Sequence, residues 1–94
     1  MLRSPILVLN DINTCVSNDF YIVDANNNNV ALSLPEITCD GMYFRFCRND
    51  TNENNIVTIN SFNNEQTIKG VASITLKIVS RVSLVSLGYI WYIV

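Results

Sequence analysis

Nowhere does the sequence repeat its apolar residues every three or four positions, the spacing a helix needs to bury one face. Short runs rich in β-branched and aromatic residues recur instead, each ended by turn chemistry. Runs at 5–9, 20–24, 30–34, 42–47, 56–60, 66–68, 73–79, 81–87 and 89–94 read as strands. The expected fold is therefore all-β: a single compact antiparallel β-sandwich, barrel or prism of seven to nine short strands. Residues 1–19 read as an N-terminal arm or edge strand with a loop, and 20–94 as the β-structured domain. The Asn26–Asn29 run favours a turn, because the short amide bonds its own backbone. It predicts a hairpin between the runs at 20–24 and 30–34. Alternation puts Met42, Phe44 and Phe46 on one face of the next run and Tyr43, Arg45 and Cys47 on the other.

The chain ends SLVSLGYIWYIV, apolar on both faces of its last two strands. A terminus this apolar implies burial, and two apolar faces imply a second covering layer. Composition makes that demand acute. The 94 residues are 49% hydrophobic and 15% charged, where about 25% charged is usual. A chain of this length buries only roughly 60–65% of its unfolded surface. The excess apolar surface predicts self-association, with Val82, Leu84, Val85, Leu87, Tyr89, Trp91, Tyr92 and Ile93 in the core or the subunit interface. A buried Trp91 also needs a partner for its indole N–H.

The net charge is −2, and the closest basic pair, Arg45 and Arg48, forms no stripe, so nucleic acid is not an expected partner. No apolar run approaches the roughly 20 residues of a membrane helix, and 5–9 is too short for a signal-peptide core. Neither membrane insertion nor a secretory route is expected. Cys15, Cys39 and Cys47 lack metal-site spacing. A Cys39–Cys47 bridge fits the pattern; the favoured reading is three reduced, mostly buried thiols, as in a reducing cytoplasm.

The chain contains no histidine, the usual general base near neutral pH and the commonest zinc ligand. It has no Gly-rich phosphate loop and no nucleophile elbow. Carboxylates at Asp24, Glu36, Asp40, Asp50, Glu53 and Glu65 leave a two-carboxylate glycosidase as the remaining enzymatic alternative, set against ordinary solvated surface charges. Asp24-Ala25-Asn26-Asn27-Asn28 starts like a calcium loop, but Asn29 replaces the required glycine and Pro35 the bidentate Glu. Neither a catalytic residue, nor a metal ligand, nor a cofactor site is expected. Asn49-Asp50-Thr51 has the glycosylation pattern and reads as part of a loop tip. That tip, with Arg48, Asn49, Asp50, Asn52, Glu53 and Asn54, is a candidate binding loop or a solubilising one. Tyr43, Arg45, Tyr89 and Tyr92 make a carbohydrate-binding module a second reading.

From Tyr21 to Val94 the chain resembles a β-structured module of phage and large-virus fibre and structural proteins. The resemblance rests on YIVDA, VALSLP, GMYFRF, NNIVTIN, TIKG and the ending SLVSLGYIWYIV, in that order. The Asn-rich linkers and the first twenty residues depart from it. The resemblance implies a non-catalytic homotrimer in a virion, assembled in the host cytoplasm as a fibre, spike or capsid-surface module. Its partners would be copies of itself, other virion proteins, and a host-surface glycan or receptor.

Overall fold

The computed structural model describes residues 4–16 and 20–94. Eight strands follow one another: β1 Ile6–Val8, β2 Phe20–Val23, β3 Val30–Ser33, β4 Tyr43–Arg48, β5 Val57–Asn60, β6 Ser73–Leu76, β7 Ser80–Leu87 and β8 Ile90–Ile93. There is no helix among the described residues, and so none long and apolar enough to cross a membrane. The strands form a five-stranded sheet, ordered β1-β2-β4-β7-β8, and a three-stranded sheet, ordered β3-β5-β6.

Both sheets are mixed, which corrects the antiparallel expectation. β1 and β2, β2 and β4, and β3 and β5 pair in parallel; only the β4–β7, β5–β6 and β7–β8 pairs are antiparallel. The cause is the path of the chain. Through β5 it alternates between the sheets, so successive strands of one sheet start from the same end and run the same way. Parallel neighbours need a long crossover, and here that crossover is a strand or bridge of the other sheet. The predicted 20–34 hairpin is absent for this reason: the Asn run carries the chain from β2 in one sheet to β3 in the other. Residues 5–15 take part in the same way. After β1, Ile12 bridges Leu32 in parallel and the Cys15 N–H bonds the Ser33 carbonyl. The 66–68 run contributes only isolated bridges at Ile68, to Val71 and to Trp91.

Side chains alternate between core and outside along the strands, as read from sequence for 42–47. Phe44 and Phe46 of β4, Val30 and Leu32 of β3, and Val57 and Ile59 of β5 are buried, while their neighbours are not. Residues of both sheets join one core. Its aromatic spine runs from Tyr21 to Phe46 (5.4 Å between centroids), Phe46 to Phe44 (5.5 Å) and Phe44 to Trp91 (5.5 Å, tilted 59°). Such offset and tilted pairs each add about 0.5–1.5 kcal/mol beyond area burial. Trp91 is wholly buried within a single chain, but its Nε1 has no hydrogen-bond partner among the described residues.

The β7–β8 hairpin turns on two residues, Gly88 (φ 59°) and Tyr89 (φ 63°). Two positive φ angles belong to the tight turn whose twist matches the strands it joins. Gly88 adopts this freely, and its N–H is held by Asp40 Oδ1 at 2.9 Å. Tyr89 is forced into a region that costs a side-chain-bearing residue roughly 1–2 kcal/mol.

All three cysteines are free: Cys15 is buried, Cys47 half-buried and Cys39 exposed. No Cys39–Cys47 bridge forms, and only one thiol is fully buried. Burial pushes the Cys15 thiol up to about 12, against a smaller lowering by the Ser33 backbone. A small alkylating reagent at pH 8 should therefore label Cys39 in the native protein and reach Cys15 only on unfolding, as mass spectrometry of timed aliquots would record. Equal labelling rates would contradict this packing.

Candidate functional site

Two regions stand out from the residues upward: the loop after β4 and the outer face of the five-stranded sheet.

Arg48 ends β4 at an inward position and is buried, as is Asp50. They form an ion pair, Nε to Oδ2 at 3.0 Å and Nη2 to Oδ1 at 3.2 Å. Arg48 also donates to the carbonyls of Leu76 (2.8 Å), Asn52 (2.9 Å) and Asn55 (2.9 Å). Asp50 accepts the N–H groups of Ala25 (2.9 Å) and Asn52 (3.1 Å). Burial by itself would raise the Asp50 pKa. The Arg48 guanidinium and the two amide donors outweigh it and hold the carboxyl below its ordinary range.

The Asn-rich turn after β2 is stapled to the same loop. Asn26 Oδ1 accepts from the Thr51 N–H and hydroxyl, both at 3.2 Å. Asn52 Nδ2 donates to the Asn26 carbonyl at 2.9 Å, and Asn55 Nδ2 to the Ala25 carbonyl at 2.6 Å. The loop is thus an ordered clamp between crossovers, and half of its candidate binding residues serve as its fastening. Asn49, Glu53 and Asn54 are exposed, Asn52 half-buried, Arg48 and Asp50 enclosed. An open groove of about 430 Å³ lies beside it, lined by Arg48, Glu53, Asn55, Ile56, Thr75, Leu76, Lys77 and Ile78.

Other carboxylates are also spent on backbone. Asp24 caps the Asn26 N–H, Asp11 takes that of Ala31, and Asp40 takes that of Gly88. Among the described residues no three His, Cys, Asp or Glu side chains gather as a metal site would require.

The outer face of the five-stranded sheet is of a different character. Registers place its outward residues in rows: Leu7, Ile22, Cys47 and Arg81; Phe20, Arg45 and Ser83; Tyr43, Val85 and Tyr92; Leu87 and Ile90. Apart from Arg45, Arg81 and Ser83, every one is apolar, aromatic or a thiol. Leu7 is 64% exposed, Leu87 56%, Tyr92 42% and Tyr43 39%. The Tyr43 hydroxyl meets Ser83 Oγ at 3.2 Å, and the Arg45 guanidinium lies 5.0 Å over the Phe20 ring. Both side chains are laid along the sheet, which keeps the face low and flat. The three-stranded sheet instead turns Ala31, Ser33, Thr58, Asn60, Ser73 and Thr75 outwards. One sheet wears a polar coat and the other does not.

The C-terminal residues expected in core or interface divide cleanly. Leu84 and Trp91 are core, and Val82 and Val85 are half-buried. Leu87, Tyr89, Tyr92 and Ile93 are exposed on the single chain. The sequence reading missed Leu7, Phe20, Ile22 and Tyr43 as members of the same face. Their outward parity was visible in each run; that β1, β2 and β4 lie side by side was not.

The chain matches no known protein-family model, and none of the curated proteins is detectably similar to it in sequence.

Proposed function

We propose that this chain is a non-catalytic structural protein that assembles with copies of itself through the outer face of its five-stranded sheet. The observation that carries this reading is the contrast between that exposed apolar face and the polar face of the other sheet. Contiguous apolar surface of this kind is rarely left to water. Tyr89 adds support: an exposed aromatic residue kept in a strained conformation is a mark of a contact site. The finer architecture is a β-sandwich whose uncovered side is completed by neighbouring subunits, and the stoichiometry is three. The trimer, and the setting in a virion as a fibre, spike or capsid-surface module with other virion proteins and a host-surface receptor as partners, rest on the resemblance of the C-terminal three-quarters of the chain.

Leu87→Glu combined with Tyr92→Glu tests the surface. Both side chains are exposed in one chain, so folding is expected to survive within about 0.5 kcal/mol per site. In dilute solution the mass should fall to that of a single chain. An unchanged mass with unchanged circular dichroism would remove this face from the assembly.

A second reading is favoured by one row of the same face. Tyr43 and Tyr92 flank Val85, giving a flat aromatic platform with Arg45 one row away, the form suited to stacking sugar rings. Binding to a glycan array by the wild type, lost in Tyr92→Ala, supports it; silence from folded protein counts against it.

A further inference from the structure

A sheet edge is a row of unpaired N–H and C=O groups, and proteins usually cover it. Three of the four edges here are closed or nearly so. Residues 12–15 bond the outer side of β3, where Ile12 donates to Ala31 and accepts from Ser33. Residues 67–69 bond the outer side of β8, where Trp91 donates to Thr67 and accepts from Lys69. In β1 the Val8 carbonyl accepts the Asp24 N–H, so Ile6 and Val8 face β2 and only Leu7 faces outwards, two residues after Pro5. β6 is different. Ser61 donates to the Ala72 carbonyl, which sets the alternation of the β5–β6 ladder. Ile74 and Leu76 therefore bond β5, and Ser73 and Thr75 turn their N–H and C=O groups to the open side.

We propose that β6 pairs edge to edge with β6 of a second copy, antiparallel across a two-fold axis through Ile74. This rests on the self-assembly reading and adds a second, separate contact to it. The segment is complementary to itself, which suits a second copy as its partner. With Ile74 opposite Ile74, Ser73 of each copy exchanges both backbone bonds with Thr75 of the other. The half-buried Ile74 side chains meet on the inner side, and the short Ser73 and Thr75 side chains leave the approach clear. Lys77 falls opposite Val71 rather than its own counterpart, so no like charges meet. A two-fold contact of this kind, joined to a separate contact through the apolar sheet face, links one closed assembly to the next.

Residue-resolved hydrogen exchange on the full chain, at dilute and concentrated protein, tests this with a solution mass taken on the same samples. The Ser73 and Thr75 amides should exchange fast when dilute and at least roughly tenfold more slowly when concentrated, while Ile74 and Leu76 stay protected throughout. Thr75→Pro should abolish the concentration effect at Ser73 and keep the fold, since the proline removes only an outward N–H. An oligomer in which Ser73 and Thr75 still exchange freely would overturn the edge contact and leave self-assembly standing. A single chain at every concentration with free exchange would overturn both. Protection within a single-chain particle would assign the edge to another strand and overturn the proposal.

Discussion

Trp91→Ala is expected to unfold each chain rather than merely separate chains. The side chain is wholly buried, lies 5.5 Å from Phe44, and sits on β8 where Thr67 and Lys69 bond the same residue's backbone. Truncating a buried Trp or Phe costs about 3–5 kcal/mol, a large share of the roughly 5–15 kcal/mol that holds a small domain together. The urea midpoint should collapse, with much of the protein insoluble. Trp91→Phe should cost less, because it keeps an aromatic ring in the site and leaves a smaller cavity, while both variants remove a buried N–H that has no partner among the described residues. Equal losses in the two variants would mean that a phenyl ring does not fill the space the indole leaves. A soluble, folded Ala variant with the wild-type midpoint would contradict the place given to this residue. The contrast with Leu87→Glu is informative: the core position should move stability, and the surface position mass alone.

Asp50→Ala is expected to cost about 3–5 kcal/mol, because it leaves the Arg48 guanidinium buried without its counter-charge. Arg48→Ala should cost a similar amount. The double variant Arg48→Met with Asp50→Leu is expected to cost less than either Ala variant, since an apolar pair leaves no orphaned charge. Acid should probe the same pair. The folded Asp50 pKa lies below its unfolded value. Its contribution is therefore complete above the unfolded pKa, about 4, and is lost as pH falls through the lower folded value. The urea midpoint, followed from pH 7 to pH 2, should decline below about pH 4, and more shallowly in Asp50→Asn. Identical acid slopes in the two proteins would show that this carboxylate is not the one that matters.

Much of this was legible in the residues. The lack of helical spacing and the alternation of Met42 to Cys47 pointed to the class, to the inner face of that strand and to most strand positions, whereas the run at 82–87, apolar on both faces, left its inner face open. Pairing was not legible, for a physical reason. A turn rich in Asn says that the chain bends, and says nothing of whether it returns beside the strand it left. Here Asn26–Asn29 bends it across the core, because Asp50, Asn52 and Asn55, some twenty-five to thirty residues on, take hold of Ala25 and Asn26. That long-range clamp has no local signature. The same blindness hid half of the apolar face. Leu7, Ile22 and Tyr43 are ordinary singly; only the parallel register of β1, β2 and β4 sets them beside Val85 and Tyr92. A polar run such as RNDTNENN likewise reads as solvated. Its Arg48 and Asp50 are instead buried, since a charge can be taken inside when another charge and several carbonyls meet it there.

The most direct test of the account is the solution mass of the purified chain, by light scattering behind a sizing column, over a range of concentrations. In dilute solution a particle of three chains is predicted, about 32 kDa for a chain of 10.6 kDa, with the apolar sheet face covered in it, and larger particles as β6 edges join at high concentration. A particle of one chain at every concentration would leave Leu7, Tyr43, Leu87 and Tyr92 open to water and would contradict self-assembly through that face.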